Sequence, residues 1–243
     1  PWRFAICRVL ACDFCVPADR AIADRGHFKK DWGVPLVLLG LGTPTMIFGI
    51  VKALALYTAA TTGVLPEIVD APHHFTRPIP IALHVLAGIV FVLTGPVQFA
   101  HRIRIRWPRA HRISGRLYVG LGVVGAGLWM NQVYPAYGGA LKYWGVLGFG
   151  LLFLVSIGMA LRAIYRRDIQ RHRIWMSRAI ALGLGPGTQF FLAIALFATI
   201  GMTDFGIGVI VVLGFAINLA VAERHIRKHL SLKLLGAPLA HQA

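Results

Sequence analysis

Residues 83–130 read "LHVLAGIVFVLTGPVQFAHRIRIRWPRAHRISGRLYVGLGVVGAGLWM". Two apolar runs, at about 80–100 and 115–134, flank a segment that holds Arg102, Arg104, Arg106, Arg109, Arg112 and Arg116. The runs are continuous and do not alternate every second residue, which excludes the strands of a membrane β-barrel. Each is close to the roughly 20 apolar residues that an α-helix needs to cross a bilayer. A hairpin of two such helices puts all six arginines at one side of the membrane, with Arg116 at the very start of the second run.

Four more runs of this kind, at about 34–58, 143–164, 177–200 and 206–222, surround the hairpin. The chain of 243 residues is 57% hydrophobic and 14% charged, against about 25% charged in a soluble domain. The expected fold is an all-α membrane protein, a six-transmembrane-helix bundle over 33–223. Lys52 sits near one end of the first run, where a long side chain snorkels to the interface. Residues 1–32 are polar and basic, contain no initiator Met and hold all three cysteines. They are too charged for a cleaved signal peptide and are expected to be a non-native or disordered start. Residues 224–243 form a basic tail.

The formal charge of +16 raises nucleic acid as a partner, but the basic residues lie between apolar runs and not on a polar domain. Their distribution instead sets an orientation. Six Lys or Arg precede the first run, six follow the second, six join the fourth to the fifth and four follow the last, leaving only Lys52, Arg77 and Lys142 elsewhere. Both termini are therefore expected in the cytoplasm, with the basic face against anionic lipid headgroups.

The basic segments carry a repeated phrase, "HRISGR" at His111–Arg116 and "HRIWMSR" at His172–Arg178. Each stands where the chain re-enters the membrane, so spans two–three and four–five read as parallel repeats with His111 and His172 at similar depth. Together "LHVLAGIVFVLTGPVQF", "HRISGRLYV", "HRIWMSR" and "NLAVAE", in that order, resemble the predicted membrane proteins grouped as domain of unknown function 2306, over roughly residues 80–223. The resemblance implies a polytopic protein of a bacterial-type inner membrane. It implies no activity.

Several constellations could carry chemistry. A helix N-terminus disfavours positive charge, so His111 and His172 tend toward the neutral, ligating form. With His101 they would make an inner layer able to hold haem b axially, its propionates met by Arg112, Arg116, Arg173 and Arg178. His84 inside span two, with His73 or His74, would make an outer layer. The plain alternative is that these His and Arg side chains satisfy helix ends and lipid phosphates. Glu67, Asp70, His73 and His74 form a mixed ligand set that suits a divalent metal, or simply a polar loop. Cys7, Cys12 and Cys15 with His27 allow a zinc site or free thiols. Glu223, closing the last span among many arginines, is expected to pair with an Arg of the repeated phrase.

The formal G-x-G-x-x-G at Gly120, Gly122 and Gly125 lies inside a span rather than at a strand–helix turn, so it reads as helix packing and not as a nucleotide fingerprint. "GLGPGTQ" at Gly183–Gln189 is expected to break span five around Pro186. With Gln98, Asn131, Gln132, Gln189 and Asn218 it supplies the polar groups that a transporter would need.

No nucleophile motif, phosphate-binding loop or metalloprotease motif is present, and the chain is expected not to be an enzyme. Three readings follow: an accessory or small-molecule-binding membrane protein, alone, as a homo-oligomer or in a membrane complex; a haem b or quinone-linked electron-transfer protein; and a small-solute transporter.

Overall fold

The computed structural model describes residues 18–64, 78–131, 138–200 and 203–231, with side chains described from Trp32 onward apart from a few positions. The regular structure among them is helical: α1 (Ala18–Thr62), α2 (Pro78–Thr94), α3 (His101–Arg106), α4 (Pro108–Asn131), α5 (Gly139–Tyr165), α6 (Ile169–Gly183), α7 (Gly185–Ile200) and α8 (Asp204–His225). A 3-10 turn at Pro96–Phe99 follows α2, and a π-helical turn at Ile226–Ser231 follows α8.

Six stretches are long and apolar enough to cross a membrane: Trp32–Thr62, Pro78–Phe99, Pro108–Met130, Gly139–Tyr165, Ile169–Leu196 and Asp204–Lys228. The fifth is built from α6 and most of α7. The third and fifth begin at Pro108 and Ile169, about two turns before the apolar runs do. Local chemistry explains both starts. Pro108 occupies the first position of α4, where no amide donor is needed. Asp168 caps α6 by accepting the amide of Arg171 at 2.9 Å. Both copies of the repeated phrase therefore lie within helices.

The spans close into a ring. α1 packs on α2, α2 on α4, α4 on α5, α5 on α8, α8 on α7, and α7 back on α1. α6 fills the space between α5 and α8, so the two halves of span five share α8 but differ in their other neighbour, α5 for α6 and α1 for α7. Leu184 makes this possible. It turns the chain between α6 and α7, with its amide on Ile180 O and its own carbonyl accepting from Gly187 N, both at 3.0 Å. Pro186, in the first turn of α7, needs no donor there. Gly187 admits the backbone of α1, since a Cβ there would lie 2.0 Å from the Leu41 carbonyl oxygen.

The centre of the bundle is one cluster of Phe91, Val92, Tyr118, Phe153, Ile157, Ala179, Ile180, Leu182 and Leu184. Phe91 stacks on Tyr118 with centroids 4.3 Å apart and meets Phe153 edge-on at 5.8 Å, both favourable aromatic geometries. Glycine makes room for this aromatic. A Cβ on Gly183 would lie 2.3 Å from Phe91 Cζ. Two of the three glycines of the formal nucleotide motif serve packing in the same way: Gly122 faces Phe153 and Phe91, and Gly125 faces Ala87, while Gly120 has nothing within 4 Å of where its Cβ would be. The outer faces expose Leu36, Ile47, Phe191, Val221 and many other large apolar side chains. That is the surface that lipid, not water, solvates.

Candidate functional site: two histidine layers

At the arginine-rich end, α4 and α6 start alike. The amide of His111 bonds Trp107 O at 3.1 Å, and that of His172 bonds Asp168 O at 3.0 Å. Each His is thus the fourth residue of its helix, closing the first turn on the residue just before it. Seven residues on, two turns along the same face, stand Tyr118 and Ala179, both 0% exposed and both in the central cluster. The two imidazoles consequently start from the inner faces of their helices, and their charges lie within range of one another, with Arg104 and Arg112 also in the field of His111.

Their hydrogen bonding differs. His172 Nδ1 donates to the carbonyl of Ala160 in α5 at 3.0 Å, since a carbonyl can only accept. In the neutral ring this places the proton on Nδ1 and the lone pair on Nε2. His111 Nδ1 is buried and, among the described residues, has no hydrogen-bond partner. Beside it, Gln98 Nε2 donates to Ser114 Oγ at 2.6 Å, and Ser114 Oγ donates in turn to Ala110 O at 2.8 Å. Gln98 therefore ties the end of the second span to α4.

The arginines divide into two groups. Arg112, Arg116 and Arg173 are exposed. Arg178 is partly buried, lies 4.5 Å over the Trp175 ring and grips Glu223 in α8, Nε to Oε1 at 2.5 Å and Nη2 to Oε2 at 3.1 Å. Of the arginines in the two phrases, Arg178 is thus committed to a structural pair.

His84 stands apart from this layer. Its Nδ1 donates to Gly125 O of α4 at 2.8 Å, and its ring stacks on Trp129 at 4.9 Å. The polar groups near the break in span five are taken up locally. Thr188 Oγ1 donates to Asn218 Oδ1 at 2.6 Å, Asn218 Nδ2 donates to Ala181 O at 3.0 Å, and Gln189 Nε2 reaches Val211 O at 3.4 Å. Ala181 O is one of the carbonyls that the break releases, and Asn218 satisfies it from the neighbouring helix.

His73, His74, Glu67, Asp70, Gln132, Cys7, Cys12 and Cys15 lie outside the described residues, as do the side chains of His27, His101 and Asn131. Among the described residues no group of three or more His, Cys, Asp or Glu is placed to hold a metal ion.

The partner of His172 and the stacking of His84 on Trp129 have no signature in the sequence, and the buried Tyr118 has only a weak one. The i+7 spacing from His111 to Tyr118 was the available signal for the last.

The family model for predicted membrane proteins of domain of unknown function 2306 matches residues 81–226. The chain belongs to this family. The match spans the histidine layers, the central cluster and five of the six spans, so the DUF2306 unit of this chain is a multi-pass helical membrane domain. No match is found among curated proteins or among solved structures.

Proposed function

We propose that this DUF2306 protein is a multi-pass protein of a bacterial-type inner (cytoplasmic) membrane, with both termini in the cytoplasm. In this reading it binds a small acidic molecule at the His111–His172 layer and serves as an accessory membrane protein, not as a catalyst. The orientation rests on the one-sided distribution of Lys and Arg. The binding role rests on His111 Nδ1. A buried polar atom left without a partner costs about 1–3 kcal/mol, and a ligand group that reaches it, once the side chains covering it move aside, removes that cost. The exposed Arg112, Arg116 and Arg173 around this layer favour an anionic ligand. Native mass spectrometry of the protein released from membrane vesicles tests this. An adduct of small-molecule mass on the wild type, lost in His111→Leu, is expected. An adduct-free wild type contradicts it.

A second reading, haem b or quinone-linked electron transfer, draws on one specific observation. His172 and His84 both donate Nδ1–H to a backbone carbonyl, which is the arrangement that orients a ligating imidazole. His172 would hold the haem iron through Nε2, with Arg112, Arg116 and Arg173 available to its propionates, while Arg178 is held by Glu223. Bound haem would supply one-electron chemistry at that level of the membrane. A reduced-minus-oxidised visible spectrum after haem-supplemented expression decides this. Soret and α bands that vanish in His172→Ala support the reading, and their absence from the wild type removes it.

A further inference from the structure

One groove on the bundle surface lies away from the histidine layers, along the outer face of α8. It has a volume of about 830 Å³ and is open to the surface. Its residues are ordered along the helix axis. Phe149 of α5 with Leu219 and Ala220 of α8 form an apolar upper part, and Arg224, Arg227 and Lys228 form a cationic lower part. Small side chains make the floor, since Ala216 and Ala220 are one turn apart on the same face. Phe149 is held as a wall by stacking on Phe215 at 5.0 Å. From Ala216 to Arg227 the helix rises about 16 Å, the scale of a lipid headgroup followed by most of an acyl chain.

The charges at the lower end are not cancelled by the acid beside them. Glu223 also lines the groove, but both of its oxygens are engaged by Arg178. Arg227 lies within the field of Glu223, yet that pair is already neutral. Three cations therefore border the mouth, and all three are exposed. They stand at the same end of the bundle as the arginines of the repeated phrase, where lipid phosphates lie.

From this ordering we infer that the α8 groove is a binding site for one anionic phospholipid, its phosphate on Arg224, Arg227 and Lys228 and an acyl chain along Phe149, Leu219 and Ala220. A basic pocket between helices at the headgroup level is a recurring way to select anionic lipid. The apolar half makes the site one for a lipid and not for a free anion. The proposal does not depend on the histidine layer, because none of its residues is shared with that layer.

The test uses the full chain in detergent micelles doped with phosphatidylglycerol or phosphatidylcholine, read by native mass spectrometry as the number of lipids retained per chain. One phosphatidylglycerol is expected to be retained and phosphatidylcholine to be lost. Replacing Arg224, Arg227 and Lys228 together by Gln weakens retention by about 5-fold for each charge removed. Replacing the exposed Arg106, Arg109 and Arg166 by Gln leaves it unchanged. Ala220→Trp fills the floor and abolishes retention while the charges stay, and excess inorganic phosphate does not displace the lipid. Equal retention of the two lipids overturns the inference, as does displacement by inorganic phosphate. Retention that survives Ala220→Trp, or that falls equally with the control arginines, also overturns it, because either shows diffuse attraction to a basic rim and no groove.

Discussion

Arg178 of α6 and Glu223 of α8 are joined by two parallel hydrogen bonds, 2.5 and 3.1 Å long, at the arginine-rich end of the bundle. The fork geometry is that of a bidentate guanidinium–carboxylate pair, and it links residues 45 positions apart in the chain. Both side chains are less than a third exposed, at 24% and 29%, so water screens the pair only in part. Glu223→Gln keeps the shape and removes the charge. It is expected to cost about 1–3 kcal/mol, read as a lower thermal unfolding midpoint in mild detergent. A double-mutant cycle with Arg178→Gln should return a coupling of about 0.5–3 kcal/mol. Full stability in Glu223→Gln would show that the pair contributes nothing.

The centre of the bundle depends on the absence of one side chain. A Cβ on Gly183 meets Phe91 Cζ and Cε1 at 2.3 and 2.4 Å, and Phe91 is locked between Tyr118 and Phe153. Gly183→Ala is expected to destabilise by about 1–3 kcal/mol through overpacking. The combination with Phe91→Leu should recover part of that loss. If Gly183→Ala is as stable as the wild type, the contact between α6 and α2 is looser than described.

Asn218 satisfies the broken span. Its amide nitrogen serves the Ala181 carbonyl and its oxygen accepts from Thr188. Asn218→Leu leaves that carbonyl exposed in an apolar interior and is expected to cost about 1–3 kcal/mol. Thr188→Val removes only one side-chain bond between helices and should cost about 0.6–1.7 kcal/mol. Thermal unfolding of the two variants side by side checks the order. Equal and negligible losses would mean that another group covers the break.

The turn between α5 and α6 holds a conformational cost that can be removed. Arg167 has φ +59°, the left-handed region that favours glycine. It ends α5 with Arg167 N on Ile164 O at 3.0 Å and Asp168 N on Ala163 O at 2.9 Å, the two bonds of a Schellman cap. Arg167→Gly is expected to raise stability by about 1 kcal/mol. A drop would indicate that the Arg167 side chain makes a compensating contact.

Much of this architecture was legible in the sequence because a bilayer imposes a length and an apolarity that few other settings require. The six runs, the break within Gly183–Gln189 and the placement of both His-Arg phrases at helix starts all follow from that constraint. What the apolar runs did not show were the first two turns of the third and fifth spans, because Arg-rich turns contribute nothing to hydropathy. In the structure those starts are set by helix-end chemistry at Pro108 and Asp168. The interior pairings were not legible at all. Whether a histidine meets a backbone carbonyl, as His172 meets Ala160, depends on how two helices are rotated against each other, and no local spacing encodes that.

The difference between His111 and His172 carries the functional account, and one substitution addresses it directly. His111→Leu keeps a side chain of comparable bulk and removes the buried nitrogen. The measurement is the thermal unfolding midpoint of the full chain in isolated membranes, wild type against variant, without detergent extraction. If a bound molecule meets His111 Nδ1, the variant loses that partner and unfolds at a lower temperature. If nothing meets it, removing an unsatisfied buried group stabilises the protein by about 1–3 kcal/mol, and a higher midpoint would contradict a ligand at this layer.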